Sequence, residues 1–529
     1  MKKLSDSKNI KLGVILSYVA MIVSIFGALF ITNRVLNLIG DYNYGLYSFV
    51  NSITSWLTIL SAALASSFLK FTTVEAKENN GNPSRTNTLY LKLLLILGVG
   101  ILIIGLSTIG LLYGLKINMG KYNWNDSQLM YGLFALSIIN VSLTMPTSIY
   151  SLYIHYKNKF VFGKILTIVT TIANFAGHFL IAYFTKSIIL IAVFTIFITL
   201  ATFSANFLFA KKEVGISFAR ASLKENKHLI GSIMAFSSIL LFNTIVDQVN
   251  TNVDKTLLGI FSIPQNVAIY QMGQQFGTYM MTMSVAVSGV FAPTLHRLVV
   301  DKNNEEIGRL FLRISRIQTI ILAAVAFGFL SCGYDFVLWW LGSSRINAYY
   351  VGFVLLIVNL CPLTMNASIE IQRAMNKHKF RAFVYFGAAI LNVLISIFFL
   401  LLLPSEHAIF ACLIGTIITK VSSHWLAMNI YNKKSINLPV GKYMLTLLWH
   451  ILIGLISFAV VMLLKNTIFG QIDGPLVRFV FEGLVFVFIY LIGIIIIDFS
   501  LVKEAISKLR RKSKKSNLPR NKNEDNTID

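Results

Sequence analysis

The chain has 529 residues, a mean hydropathy of +0.70, 56% hydrophobic residues and only 13% charged residues. This composition excludes an ordinary soluble globular protein and leaves no room for a separate soluble domain. The formal net charge of +24 would suggest nucleic-acid binding in a soluble protein, so the charges must first be assigned to the two sides of a membrane.

Apolar runs of about 20 residues, long enough to cross a hydrocarbon core of about 30 Å, follow one another along the chain. The first run has no small-residue cleavage site after it, which predicts a retained first helix. Six spans form a first half and are predicted at 12–32, 47–68, 93–113, 129–152, 165–184 and 188–210. Eight more are predicted at 229–261, 267–290, 320–341, 349–371, 382–403, 408–430, 443–464 and 479–497. We therefore expect an all-α polytopic membrane protein with about 14 transmembrane helices.

The basic residues concentrate in alternate loops. With both termini on the cytoplasmic side, roughly 37 of the 46 lysine and arginine residues lie on that side. Most of the net charge therefore reflects orientation, and we expect no nucleic-acid partner. The basic segment 501–529 is predicted to be a cytoplasmic tail, either simply solvated or beginning as a short helix on the anionic leaflet.

A weak internal repeat relates the two halves. The sequence Lys-Asn-Lys-Phe at 157–160 recurs as Lys-His-Lys-Phe at 377–380, each just before a new span, and Asn174 in the fifth span matches Asn392 in the eleventh. An offset of about 220 residues links these pairs, and six-plus-six parallel repeats are typical of transporters. The repeat predicts two parallel six-helix lobes at 1–216 and 217–434, two C-terminal helices at 435–500 and the tail at 501–529.

The seventh span changes from apolar to polar along its length. Asp247, Asn250, Thr251 and Asp254 follow helical spacing and are expected to share one face that lines a wet cavity. The alternative is that the end of this span is an ordinary solvated helix end at the membrane surface. A carboxylate that changes partners between two arrangements of the lobes can couple ion binding to conformation, so Asp247 and Asp254 are candidates for H⁺ or Na⁺ coupling.

Other polar residues in the spans suggest contacts with a polar substrate. Gln271 and Gln274 lie near aromatic residues of the eighth span, a mixture that suits sugars but also interhelix hydrogen bonds. Lys420 and His424 are one helical turn apart in the twelfth span, where a cation would attract a diphosphate or an acidic sugar. Lys420 could instead pair with Glu370, a third ion-coupling candidate.

Two further positions belong to the first half. Arg34 ends the first span on the outer side and would either offset substrate charge or extend towards water. Asn174 and His178 are one turn apart and form either a substrate contact or a packing pair. The candidate cavity residues are Arg34, Asn174, Asn250, Gln271, Gln274, Lys420 and His424.

Signatures of enzymes and metal sites are missing from the sequence. We find no phosphate-binding glycine loop, zinc-binding histidine pair or nucleophile elbow, and the outer loops are short. Cys332, Cys361 and Cys412 all lie in apolar runs and are interpreted as packing residues. We therefore expect no catalytic residues, no bound metal and no cofactor, apart from a coupling ion.

Two segments resemble a known family. Arg-Val-Leu-Asn-Leu-Ile-Gly at 34–40 and Asp-Tyr-Asn-Tyr-Gly-Leu-Tyr at 41–47 resemble the junction of the first two helices in polysaccharide and O-antigen flippases. Asp-Lys-Thr-Leu-Leu-Gly-Ile-Phe at 254–261, leading to Val-Ala-Ile-Tyr at 267–270, resembles their seventh-to-eighth junction. Pro293 fits the residue that closes their eighth helix, whereas Lys70 stands where members often carry arginine.

This resemblance implies a member of the multidrug/oligosaccharidyl-lipid/polysaccharide (MOP) exporter superfamily with a MATE-like fold, in which two lobes face a central cavity. It implies transport of undecaprenyl-diphosphate-linked oligosaccharide from the cytoplasmic to the outer leaflet of the bacterial cytoplasmic membrane by alternating access. Polysaccharide polymerase and glycosyltransferases would then be partners, with membrane lipid around the protein. The alternatives are a cation-coupled multidrug exporter and a membrane-embedded glycosyltransferase or polymerase.

Overall fold

The computed structural model describes residues 2–79, 82–119, 122–377 and 379–499, and every regular element in these ranges is helical. Side chains are described except at residues 2–11, 14, 239, 243, 247, 250 and 293. Thirteen helices in these ranges are long and apolar enough to cross a membrane, and a bent helix adds a fourteenth. The expected all-α membrane fold is confirmed. The predicted helix in the tail at 501–529 lies outside the described residues.

The first half contains eight α-helices. They are α1 (Lys2–Gly27), α2 (Asn33–Ile39), α3 (Asp41–Thr54), α4 (Thr58–Glu78), α5 (Ser84–Gly114), α6 (Trp124–Tyr156), α7 (Phe160–Thr185) and α8 (Ile188–Phe209). A π-helical turn joins α1 to α2 at Ala28–Thr32, and another extends α8 at Ala210–Val214. The first span therefore runs through α1 and α2, and the second through α3 and α4.

The remaining helices form spans seven to fourteen. They are α9 (Lys227–Phe261), α10 (Pro264–Val300), α11 (Asn304–Leu341), α12 (Asn347–Thr364), α13 (Asn366–Ala374), α14 (Lys379–Leu402), α15 (Ala408–Lys420), α16 (Met428–Lys434), α17 (Val440–Thr467) and α18 (Pro475–Ile497). The tenth span is divided between α12 and α13. The twelfth contains a π-helical segment, Val421–Ala427, between α15 and α16.

Several helices are longer than the apolar runs that predict them. α11 begins at Asn304, whereas the predicted span begins at residue 320. Hydropathy detects only the part of a helix that lies in hydrocarbon, while backbone hydrogen bonding continues into the aqueous layer. Between α2 and α3 the helix is broken at Gly40, whose φ of +83° is accessible to glycine at little cost.

Pro293 does not end the eighth span, contrary to the expectation from the resemblance. α10 continues to Val300, and the parts on either side of residue 293 meet at an angle of 46°. Proline removes one backbone hydrogen bond and its ring clashes with the preceding turn, so a kink in a continuing helix is as natural an outcome as an end.

The described residues form two compact units. The first contains the residues up to Thr282 together with Asn347–Val358 and Met375–Tyr431; in it α5 packs on α6, α1 on α7, α4 on α9 and α14 on α15. The second contains Met283–Ile346, Asn359–Ala374 and the residues from Asn432 onward, and in it α17 and α18 pack on α11. The lobe boundaries expected from the repeat follow topology rather than compactness and stay a prediction.

Candidate functional site

A buried carboxylate stands at the centre of a polar cluster formed by four spans. Asp254 on α9 is 6% exposed. The Tyr270 hydroxyl on α10 donates to its Oδ2 at 2.5 Å, and the Thr416 hydroxyl on α15 donates to the same oxygen at 2.8 Å. Asn392 Nδ2 on α14 donates to Oδ1 at 3.2 Å. The alternative of a solvated helix end at the membrane surface is therefore wrong for Asp254.

The cluster extends one layer beyond these donors. The Ser396 hydroxyl donates to Asn392 Oδ1 at 3.2 Å, and the Cys412 thiol lies 3.8 Å from the Asp254 carbonyl oxygen. Lys420 lies one helical turn after Thr416 on α15, so its half-buried side chain is on the same side of the helix as that donor. Because the carboxylate's direct donors are neutral, a proton or a small cation could take their place without breaking a tight ion pair.

The polar residues at the junction of the seventh and eighth spans bond to each other. Lys255 Nζ donates to Gln271 Oε1 at 2.9 Å, and Gln274 Nε2 donates to the Thr251 carbonyl at 2.5 Å. Both glutamines are half-buried. In this conformation they hold α9 and α10 together, the interhelix role that the sequence left open beside sugar binding.

In the twelfth span, Lys420 is the last residue of α15 and His424 lies inside the π-helical segment that follows it. Lys420 is half-buried and His424 is buried. His424 Nδ1 lies 2.7 Å from the Ser423 hydroxyl, and its ring stacks on Tyr385 with centroids 4.1 Å apart. Widened turns of this kind frequently occur at functional sites of transmembrane helices.

The candidates in the first half have different surroundings. Arg34 is exposed in the first turn of α2. His178 Nε2 lies 3.2 Å from the Thr195 hydroxyl on α8, so this histidine contacts the neighbouring helix. The buried Asn174 Oδ1 has no hydrogen-bond partner among the described residues. Of these three residues His178 lines a cavity of about 100 Å³, together with aliphatic side chains and Thr32, Tyr44, Tyr47 and Phe175.

The structure gives the contacts of Glu370, an ion-coupling candidate, but not those of the ion-coupling candidate Asp247 or the cavity candidate Asn250. Glu370 on α13, in the second unit, pairs with Arg373 at 2.8 Å and lies 3.5 Å from His296. Asp247 and Asn250 belong to the unbroken helix α9, but their side chains lie outside the described part of the structure. Whether either one faces the Asp254 cluster stays a prediction.

Sequence reasoning missed the partners of Asp254 and a second set of buried charges. Asn392 and Ser396, four residues apart in an apolar span, were a usable signal for a polar helix face, and Thr416 was a weaker one. In the second unit, the buried carboxylates of Asp335 and Glu482 form an ionic cluster with the half-buried Lys465 and Arg478. Their charges inside or beside predicted spans could have identified them.

The family model described as "Polysaccharide biosynthesis protein" matches residues 35–350, more than half of the chain. The chain belongs to this family. The match includes the two segments at 34–47 and 254–270 that carry the sequence resemblance, apart from Arg34, and also Asp254, Tyr270 and the two glutamines. No curated protein matches the chain.

This member of the polysaccharide biosynthesis family has the fold of solved MATE transporters. An inward-facing multidrug resistance MATE transporter of the MOP superfamily aligns with a TM-score of 0.57 at 13% identity, covering 78% of this chain and 99% of that chain. An outward-facing MATE structure gives 0.54 at 13% identity, covering 80% and 96%. A mutant of the Vibrio cholerae MATE transporter VcmN gives 0.54 at 15% identity, covering 83% and 100%. Family and fold together support a multi-pass membrane transporter.

Proposed function

We propose that this protein is a flippase that moves undecaprenyl-diphosphate-linked oligosaccharide from the cytoplasmic to the outer leaflet of the bacterial cytoplasmic membrane. One observation carries the proposal: a chain of a polysaccharide biosynthesis family has a transporter fold. Polysaccharides that are assembled on lipid carriers inside the cell need a transporter to reach the outer leaflet. The signatures of membrane glycosyltransferases are missing from the sequence, so transport is favoured over sugar transfer.

The proposed cycle is alternating access. The saccharide enters a polar cavity between the lobes at 1–216 and 217–434 while the prenyl tail remains in lipid. The fold supports this proposal because related structures have been solved in inward-facing and outward-facing conformations. Both termini are proposed to be cytoplasmic, as the distribution of basic residues favours. The polymerase and glycosyltransferases of the same pathway are the proposed partners.

Lys420 and Arg34 are proposed to offset the negative charge of the diphosphate or of acidic sugars. Lys420 combines partial burial with a position beside the Asp254 cluster, so its charge is screened less than that of a surface lysine. Arg34 is exposed and belongs to the other half of the sequence repeat. The two cations would then act on the headgroup from different lobes.

Asp254 is proposed to couple transport to H⁺ or Na⁺. Binding of either ion would compete with the donors on α10, α14 and α15 for the same two carboxylate oxygens. An ion that binds one arrangement of these helices more tightly than another shifts the conformational equilibrium towards it. This differential affinity is the physical requirement for coupling.

The test is a flipping assay in proteoliposomes that contain a labelled undecaprenyl-diphosphate oligosaccharide. An impermeant glycosidase added outside measures the accessible fraction of the lipid with time. We expect wild-type protein to expose the inner-leaflet lipid, and Lys420→Met to slow this by about 10- to 100-fold, the range of a typical coupling energy. Lys224→Met, in the 215–226 linker, is the control. A wild-type rate in Lys420→Met would remove Lys420 from the substrate site.

A multidrug exporter is the second candidate, because the matched MATE structures are described as multidrug resistance transporters. Loading the same vesicles with a fluorescent organic cation separates the two functions. Export of the cation against its gradient, with the oligosaccharide lipid remaining in its leaflet, would favour the drug exporter.

A further inference from the structure

The two segments that carry the family resemblance meet in the folded protein. The first, at 41–54, forms α3 at the start of the second span. The second runs from the end of α9 into the beginning of α10. α3 packs directly against α9. The segments belong to different predicted lobes, so their contact joins one lobe to the other on the side where the first span ends.

This contact is so close that it requires glycine on both sides. A Cβ atom added at Gly45 would lie 1.9 Å from the Pro264 carbonyl oxygen. A Cβ added at Gly259 would lie 1.9 Å from the Phe49 ring. A Cβ at Gly45 would have to displace the backbone at Pro264, and one at Gly259 would have to displace the Phe49 ring, because packed interiors do not absorb such an overlap. By contrast, Gly387 on α14 has open space around the position of a Cβ.

Hydrogen bonds complete the contact, and those described are between neutral groups. The Ser52 and Thr256 hydroxyl oxygens lie 3.1 Å apart, and Gln248 Nε2 donates to the Ser55 hydroxyl at 2.7 Å. Tyr122, from the loop between α5 and α6, is buried and donates its hydroxyl to the Gly259 carbonyl at 2.7 Å. Such bonds contribute little net energy each and can exchange with water, so the contact is suited to opening and closing.

A second contact between the halves differs because it includes charged donors: Lys92 Nζ donates to the Ala221 carbonyl at 2.7 Å and Arg85 Nε to Asn226 Oδ1 at 2.6 Å. The 215–226 linker before α9 lies along the start of α5, where Asn87 Nδ2 donates to the Ser217 carbonyl at 3.1 Å and the Thr88 hydroxyl to the Ala219 carbonyl at 2.8 Å. The Ser217 hydroxyl also donates to Asn82 Oδ1 at 2.9 Å. The linker is thus held to the first lobe by several hydrogen bonds, and those from the two charged donors are stronger than bonds between neutral groups.

We propose that the contact of α3 and Tyr122 with the α9–α10 junction, formed by Gly45, Phe49, Ser52, Tyr122, Thr256, Gly259 and Pro264, is a latch that closes the outer mouth of the transport cavity. It opens when the substrate is released to the outer leaflet and closes again for the next cycle. The linker fixed to α5 moves with the first lobe, so the change of angle occurs where α9 begins. This inference rests on the proposed function and orientation of the protein.

Disulfide trapping tests the latch directly. Ser52→Cys/Thr256→Cys places two thiols across it, and Asn82→Cys/Ser217→Cys places two across the fixed linker contact, in a chain whose own three cysteines are buried and free. We expect oxidation of the first pair to slow lipid flipping at least about tenfold and reduction to restore it, because one conformation is then locked. Oxidation of the second pair should leave the rate unchanged. Wild-type flipping with the first pair fully crosslinked would overturn the proposal.

Glycine substitutions give a readout that does not depend on transport. Gly45→Ala and Gly259→Ala should each lower the rate of disulfide formation across Ser52→Cys/Thr256→Cys by about tenfold, since the closed contact excludes a Cβ. Gly387→Ala is the matched control and should leave that rate unchanged. Equal crosslinking in all three would show that the latch is not a tight closed state. If wild-type protein flips no saccharide lipid but the glycine variants behave as stated, the proposed function fails and the moving contact stands.

Discussion

The chemistry of the candidate site is concentrated in one residue. Asp254 is buried in a helix that crosses the membrane, where an isolated charge costs about 2.5 to 3.5 kcal/mol on insertion scales. Three neutral donors from three other helices offset this cost without fixing the carboxylate in a rigid ion pair. A carboxylate in this setting has hydrogen-bond donors for both of its oxygens and is still able to exchange its partners.

Replacing Asp254 by asparagine should separate ion coupling from folding. The amide side chain would keep the size of the carboxylate and one acceptor oxygen for Tyr270 and Thr416, but it could not bind a proton or attract a cation. We expect Asp254→Asn to remain folded, to lose the dependence of flipping on an H⁺ or Na⁺ gradient, and to flip about 10- to 100-fold more slowly. Flipping rates with and without each gradient measure this effect.

Asp473→Asn is the matched control, because Asp473 is an exposed carboxylate in the loop before α18. It should retain both rate and gradient dependence. An Asp254→Asn protein that still responds to the gradient would place the coupling ion elsewhere, with Asp247 the next residue to test.

At this scale the sequence predicts which polar residues matter better than it predicts their contacts. Asp254 stands out because a carboxylate in an apolar run is expensive. Its partners Tyr270 and Thr416 are ordinary residues of a membrane helix, and their role depends on how four helices are arranged around one point. Spacing along a single helix carries no information about that arrangement.

At the scale of helices, the two C-terminal helices, α17 and α18, are held to α11 by ionic contacts at two heights along its axis. At one level Asp335 on α11 pairs with Lys465 on α17 and, at 2.9 Å, with Arg478 on α18. At the other, Asp498 at the end of α18 pairs with Arg316 on α11 and, at 2.8 Å, with His450 on α17. Arg316 and Asp335 are 19 residues apart, or about 28 Å along a helix, close to the thickness of the hydrocarbon core.

The cluster around Lys465 predicts a clear effect on stability. Its amine also lies 3.1 Å from Glu482, which is fully buried, so Lys465→Met would leave Glu482 without its cation. We expect a loss of about 3 kcal/mol, as is usual when one member of a buried pair is removed, and a lower midpoint of thermal unfolding in detergent. Lys224→Met should leave the midpoint unchanged.

A double substitution tests the physical cause of this loss. Lys465→Met with Glu482→Gln removes the uncompensated carboxylate as well, so it should be more stable than Lys465→Met alone. If the two substitutions are simply additive, the ionic contact between Lys465 and Glu482 contributes little, and packing of the lysine stem explains the loss.

Helix positions were predicted well, but helix ends and irregular turns were not. Apolar runs locate α9, α14 and α17 because a membrane requires continuous hydrophobicity. The same runs do not reveal the kink in α10, the division between α12 and α13, or the π-helical Val421–Ala427. These features depend on hydrogen bonds to neighbouring helices and on local turn geometry.

At the scale of the whole molecule, the repeat relates the loops before α7 and α14. Asn158 and Asn376, one in each of these loops, share a left-handed φ of +56°. His378, part of the repeated motif, lies outside the described residues. π-helical segments also follow both α8 and α15, near the ends of the sixth and twelfth spans. The repeat in sequence thus has a counterpart in backbone conformation.

The two halves differ at the repeated asparagines. Asn392 donates to Asp254, whereas Asn174 lies in a helix without a comparable described carboxylate partner, near the cavity lined by Tyr44, Tyr47 and His178. The sequence therefore predicts two similar lobes, and the structure shows that their polar interiors differ. In the proposed cycle the second lobe binds the ion and the first presents Arg34 to the headgroup.

The most direct test of the central claim measures the movement of two cargoes in the same proteoliposomes. One is a labelled undecaprenyl-diphosphate oligosaccharide, followed by its accessibility to an impermeant glycosidase, and the other is a fluorescent organic cation trapped in the lumen. We predict that protein-containing vesicles expose the inner-leaflet oligosaccharide lipid, that protein-free vesicles do not, and that the cation is retained in both. Expulsion of the cation while the oligosaccharide lipid stays in its leaflet would contradict the account.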